Sequence, residues 1–104
     1  QQSNVSYING EIKGAGSILT ITANTTADES VSTYLCDTSG GLIGVTLPAS
    51  PTVGKVWNFK KIALQNQLKI ATASSLIDGK TVMYIDALNT SYSIQFDGVN
   101  YKII

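Results

Sequence analysis

Short β-branched runs closed by turn residues fill this chain, and no stretch sustains the 3.6-residue period of a helix. Ser17-Ile-Leu-Thr-Ile-Thr22 opens the series. In Glu29-Ser-Val-Ser-Thr-Tyr-Leu-Cys36, Val31, Thr33 and Leu35 fall on one face, and Ser32, Tyr34 and Cys36 on the other. Gly44-Val-Thr-Leu47 is stopped by Pro48, because proline cannot donate to a central ladder. Lys55 to Ile62 puts Trp57 and Phe59 on one side, with Val56 and Ile62 opposite. Gln67-Leu-Lys-Ile70, Thr81 to Asp86, Ser91 to Phe96 and Asn100 to Ile104 complete the set. About eight short strands separated by turns is the pattern of an all-β sandwich or barrel, read here as antiparallel.

The turns have chemical reasons. Gly40-Gly41, Asp78-Gly79 and Asp97-Gly98 stand where a tight turn needs positive φ. The closing stretch, Ser91 to Ile104, reads as a hairpin about Asp97-Gly98 that ends inside its second strand. An end on Ile103-Ile104 predicts burial against the chain's own sheet or a neighbouring subunit. Ala23 to Glu29 reads as a polar loop. Residues 1–16 lack a sustained period and read as an irregular lead-in to an upstream segment, with Asn4 to Ile8 as one possible strand. Residues 17–104 then form a single β domain. Ile77-Asp-Gly and Phe96-Asp-Gly are alike, but hairpins reuse this turn chemistry and two copies do not make a solenoid.

Composition narrows the function. The chain has 104 residues, enough for one domain with a modest core. Charged residues are 13%, against roughly 25% in ordinary globular proteins. Seven lysines balance seven acids, and there is no Arg. Nucleic-acid binding is disfavoured, because neutralising phosphates takes clustered cations. A neutral chain also has little charge repulsion against self-association. No apolar run approaches the roughly 20 residues that span a membrane as a helix. The single cysteine, Cys36, cannot form an intrachain disulfide and reads as a buried strand residue.

Catalytic constellations are absent from the pattern. Without His there is no imidazole base, and no Ser-His or Cys-His pair. Gly14-Ala-Gly16 lacks the strand–helix setting of a phosphate loop, and one Cys excludes the usual structural zinc sites. Of the seven acids, Glu11, Asp28, Glu29, Asp37, Asp78, Asp86 and Asp97, Asp78 and Asp97 belong to turns and Asp28-Glu29 to a loop; sequence alone leaves open a glycosidase pair drawn from Asp37 and Asp86. The chain is therefore expected to be non-enzymatic, with no catalytic, cofactor or metal residues. Trp57, Phe59, Tyr34, Tyr84, Tyr92 and Tyr101 lie on strands, where aromatics serve as core or interface and less often as sugar platforms. Lys60-Lys61 places one cation on each face of its strand, so it forms no patch.

The order of these motifs resembles a known family. Glu29 to Asp37 is followed by Ser39-Gly-Gly41, Val45-Thr-Leu-Pro-Ala49, Val53-Gly-Lys-Val-Trp-Asn-Phe-Lys-Lys-Ile62 and Leu68-Lys-Ile70. Leu76-Ile-Asp-Gly79, Ser93-Ile-Gln-Phe-Asp-Gly98 and Asn100-Tyr-Lys-Ile-Ile104 complete the progression. It is similar to the C-terminal β-rich head or knob domains of bacteriophage tail fibres and related viral fibre proteins, over residues 29–104. Tyr101 stands where many of those domains carry Trp, and Lys60-Lys-Ile62 departs from a more usual Ile-Lys order.

That resemblance implies a homotrimeric head at the tip of a fibre on the virion surface. It implies attachment to a host-cell glycan or protein receptor, with ligand-binding residues unassigned. Independently, apolar residues on both faces of several strands predict an oligomer, since a lone sandwich leaves such surface wet. Two alternatives are a purely structural trimerisation or capping domain, and a carbohydrate-binding module of a secreted protein. The latter requires a monomer with a row of exposed aromatics.

Overall fold

The computed structural model of the chain describes residues 17–104. The lead-in, with the strand considered at Asn4 to Ile8, lies outside the described residues. The rest is all-β: β1 (Ile18–Ile21), β2 (Thr25–Thr26), β3 (Thr33–Cys36), β4 (Ile43–Leu47), β5 (Val56–Lys61), β6 (Leu68–Thr72), β7 (Val82–Ile85), β8 (Ser91–Phe96) and β9 (Tyr101–Ile103). A single 3₁₀ turn, Thr38–Gly40, separates β3 from β4. Two sheets result, ordered β1-β3-β5-β8-β9 and β2-β4-β6-β7. Every alternating run of the sequence becomes a strand. The additional one, β2, lies in the segment that reads as a polar loop; two threonines carry too little pattern to distinguish a strand from a loop.

The antiparallel expectation is corrected by the pairing. β1, β3 and β5 run parallel, as do β2, β4 and β6. Only β7, β8 and β9 join their neighbours antiparallel. From β1 to β6 the chain crosses between the sheets after every strand, so it winds as a coil. Thr33 lies opposite Asn58 in one sheet and Ile43 opposite Leu68 in the other, the same sequence offset in both. Alternation of side chains is common to parallel and antiparallel strands, so it cannot reveal which neighbour a strand takes.

The core lies between the sheets. Tyr34, Cys36, Trp57, Phe59, Ile94 and Phe96 fill it from the five-stranded sheet; Ile43, Val45, Leu47, Leu68, Ile70 and Ile85 fill it from the other. Tyr34 stacks on Phe59, its cross-strand partner, with centroids 5.6 Å apart. Tyr101 tilts against both Trp57 and Phe96. The outer face of the larger sheet is polar: Asn58 donates to Thr33 Oγ1 and accepts from Ser93 Oγ, which ties β3, β5 and β8 together.

The two Asp-Gly turns prove different. Asp78 and Gly79 both have positive φ (47° and 84°), and Ile77 and Lys80 exchange both backbone hydrogen bonds across them. This is the tight two-residue turn. Asp97-Gly98 instead opens a four-residue connection between Phe96 and Tyr101. There Asp97 Oδ1 accepts from the backbone N–H groups of Val99 and Asn100, and only Gly98 has positive φ (105°).

Candidate interaction groove

Which strand edges remain open follows from how the coil ends. β9 is the last strand of the larger sheet, and its outer edge is occupied. Tyr101 N–H donates to Leu76 O, Asp78 N–H donates to Tyr101 O, and Ile103 N–H reaches Asp78 Oδ1 at 3.4 Å. The tight Asp78-Gly79 turn places the 76–80 segment to do this. β7 is the last strand of the smaller sheet. Among the described residues it pairs with β6 alone.

Between these two ends runs a groove of about 400 Å³. Val82, Met83 and Tyr84 all line it. Consecutive strand residues point to opposite faces, so a hollow that touches all three runs along the edge of β7. Ile77, Tyr92 and Ile103 form the opposite wall, and Asp78 and Lys80 supply its two charges. Met83, Tyr92 and Ile103 are half-buried and pack on the core, whereas Tyr84 is 50% exposed.

The aromatics divide sharply. Trp57, Phe59, Tyr34 and Tyr101 are buried. Trp57 Nε1 donates to Asp28 O at 3.0 Å, and Tyr34 Oη accepts from Asp28 N–H at 2.8 Å. Tyr101 Oη donates to Pro48 O at 2.6 Å. These groups pin loops and are closed to a sugar, so the exposed aromatic row of a carbohydrate-binding module is not formed by them. Only Tyr84 and Tyr92 of the six reach the groove.

Each described carboxylate has its own bond. Ser30 donates to Asp28, which holds that acid below the usual carboxylate range. Ser39 does the same for Asp37 at the 3₁₀ turn. The Asn100 and Val99 amides hold Asp97 down. Glu29 accepts from Thr52 N–H, Asp78 from Ile103 N–H, and Asp86 from the Gln67 amide. Asp37 and Asp86 thus serve separate loops. No cluster of three or more His, Cys, Asp or Glu suited to a metal occurs among the described residues.

Of the Lys60-Lys61 pair, Lys61 is the buried one. Its residue is 0% exposed, on the same inward face as Trp57 and Phe59. The ammonium donates to the carbonyls of Ala63 at 2.5 Å and Leu64 at 3.0 Å, so its burial is offset by bonds to the loop that follows. The parity of the strand predicts its inward face; its partners lie beyond β5, where pattern says nothing. Cys36 is buried as expected, and burial pushes its thiol up to about 12. Of the Ile103-Ile104 pair, Ile103 packs on the core of its own chain as expected, whereas Ile104 is 66% exposed.

No family model matches the chain. A search of curated proteins likewise gives no match.

Proposed function

We propose that this chain is a non-enzymatic head domain of a viral fibre, assembled as a homotrimer at the fibre tip on the virion and holding the particle to a host-cell glycan or protein. The motif order supports this reading over residues 29–104. The observation that carries it is the coil itself. Six strands alternate between two sheets with parallel neighbours, and the last three strands then run antiparallel. Coiled parallel strands build elongated proteins by stacking one turn on the next, and an atypical terminal unit ends the stack. Reversed strands are such an ending, which suits a tip better than a shaft.

A second reading has its own observation. Five of the seven aromatics on the described strands are buried in the core, which favours a structural cap that holds subunits in register without a ligand. Binding separates the two. The purified domain applied to a glycan array and to whole cells should be retained on a restricted subset under the attachment reading. Retention nowhere, by a folded and assembled domain, would leave the cap.

A further inference from the structure

We infer that the groove between β7 and the 77–80 turn is a saccharide site. It takes an uncharged sugar ring, with hydroxyls toward Asp78 and Lys80 and the apolar C–H face toward Tyr84 and Tyr92. The inference rests on the attachment reading above and names the surface and the ligand class for it.

The aromatics single out this groove. Seven stand on the described strands, and only Tyr84 and Tyr92 stay out of the buried set. Both line the groove. Tyr34 and Tyr101 use their hydroxyls to hold Asp28 and Pro48, whereas those of Tyr84 and Tyr92 bond no described residue. A tyrosine joins an apolar ring to a polar tip, which suits a ligand that is part apolar and part wet. Tyr92 packs on the core and is held by it; Tyr84 stands at the wet rim.

The two charges are positioned by backbone. Asp78 and Lys80 flank Gly79 in the tight turn, across which Ile77 and Lys80 exchange both hydrogen bonds. Asp78 N–H ties that turn to Tyr101 O on β9. Ile103 N–H engages Asp78 Oδ1 at 3.4 Å, which leaves Oδ2 to accept. The ion pair among the described residues joins Lys102 to Asp97, so Asp78 and Lys80 do not neutralise each other. One rigid turn thus offers a carboxylate acceptor and an ammonium donor. A hydroxyl both donates and accepts, so adjacent sugar hydroxyls can serve both.

Size and charge narrow the ligand. A volume of about 400 Å³ lies toward the lower end of small-ligand pockets, roughly 300–1,000 Å³. Its eight lining residues are few for a protein partner, which meets roughly 20–30 residues a side. An anion would be repelled by Asp78, and a cation by Lys80. A wholly apolar ligand would strip water from both charges and return no hydrogen bond. An uncharged sugar satisfies both charges and still covers the apolar wall at Ile77 and Ile103.

The test applies the purified chain to an array of neutral, sialylated and sulfated glycans. It is also applied to whole cells before and after periodate, which cleaves the vicinal diols of sugars. Retention should fall on a subset of neutral glycans and on untreated cells, and periodate should abolish the cell retention. Tyr84→Ala and Asp78→Asn should each weaken retention about tenfold or more. Circular dichroism and sedimentation should not change, because Tyr84 is exposed and asparagine tolerates the positive φ of Asp78. Glycan retention that both variants leave intact overturns this groove and leaves the attachment reading standing. Retention confined to sialylated or sulfated glycans does the same, as does periodate-resistant retention on cells, the mark of a protein receptor. A Tyr84→Ala chain with altered sedimentation places Tyr84 in a subunit contact and also overturns the site. Retention nowhere, by a folded chain, overturns the site and the attachment reading together.

Discussion

Individual side chains here mostly secure loops to the core. Trp57 fills the space between the sheets and holds the Asp28 carbonyl. Trp57→Ala should lower stability by about 3–5 kcal/mol, measured by urea unfolding; a change under about 1 kcal/mol would mean that the indole is not core. Tyr101→Phe leaves the Pro48 carbonyl without its donor and should cost about 1–3 kcal/mol. Titration has opposite signs at the two ends of the pH scale. Asp28, Asp37 and Asp97 bind protons less readily when folded. Their contribution is complete above the ordinary value of 3.8 and is lost as pH falls through the lower folded values. Cys36 and Tyr101 are the reverse, each pushed to about 12, chiefly by burial. Their contribution is complete below the unfolded values of 9.0 and 10.0 and is lost as pH rises toward 12. Melting temperature should therefore fall on both sides of a neutral plateau. At pH 8 the Cys36 thiol should resist alkylation in the native chain and react in urea. Rapid native labelling would contradict its burial. The aromatic positions were legible as core material; which two would stay outside was not, because parity assigns a face and not its cover.

At the scale of elements, the strands were legible and their partners were not. Period-2 patterns mark β3 through β9, and Pro48 marks the end of β4. The closing hairpin was legible as a hairpin, but its turn type was not. Asp78-Gly79 and Asp97-Gly98 are the same dipeptide, yet one is a two-residue turn and the other opens a four-residue loop. The difference lies in the flanks, since Ile77 pairs with both Lys80 and Tyr101. The Lys61 ammonium was legible only as one of two lysines on opposite faces of a strand. In the fold it braces the loop after β5, and its backbone bonds Asn89 and Thr90 of the β7–β8 connection. Lys61→Met keeps the apolar stem and removes the donors. Amide exchange should then accelerate across residues 62–67, while β4, β6 and residues 89–90, which the Lys61 backbone holds, stay protected. Unchanged exchange across 62–67 would mean that the ammonium braces nothing.

For the whole molecule, the sequence is a good guide to an all-β, two-layer domain and a poor one to its topology. Parallel coiling depends on which distant strands meet, and identical alternation serves either direction. Zero net charge and apolar residues on both strand faces are the sequence's grounds for proposing self-association. Among the described residues β7 pairs with β6 alone and lies beside an open groove. Assembly as a trimer and attachment of the assembled head are the two parts of the proposed function, and attachment depends on assembly. The most direct measurement is the mass of the isolated chain in solution by light scattering at micromolar concentration. The account predicts a monodisperse species of three times the 11.0 kDa chain mass. A monodisperse species of 11.0 kDa would contradict it.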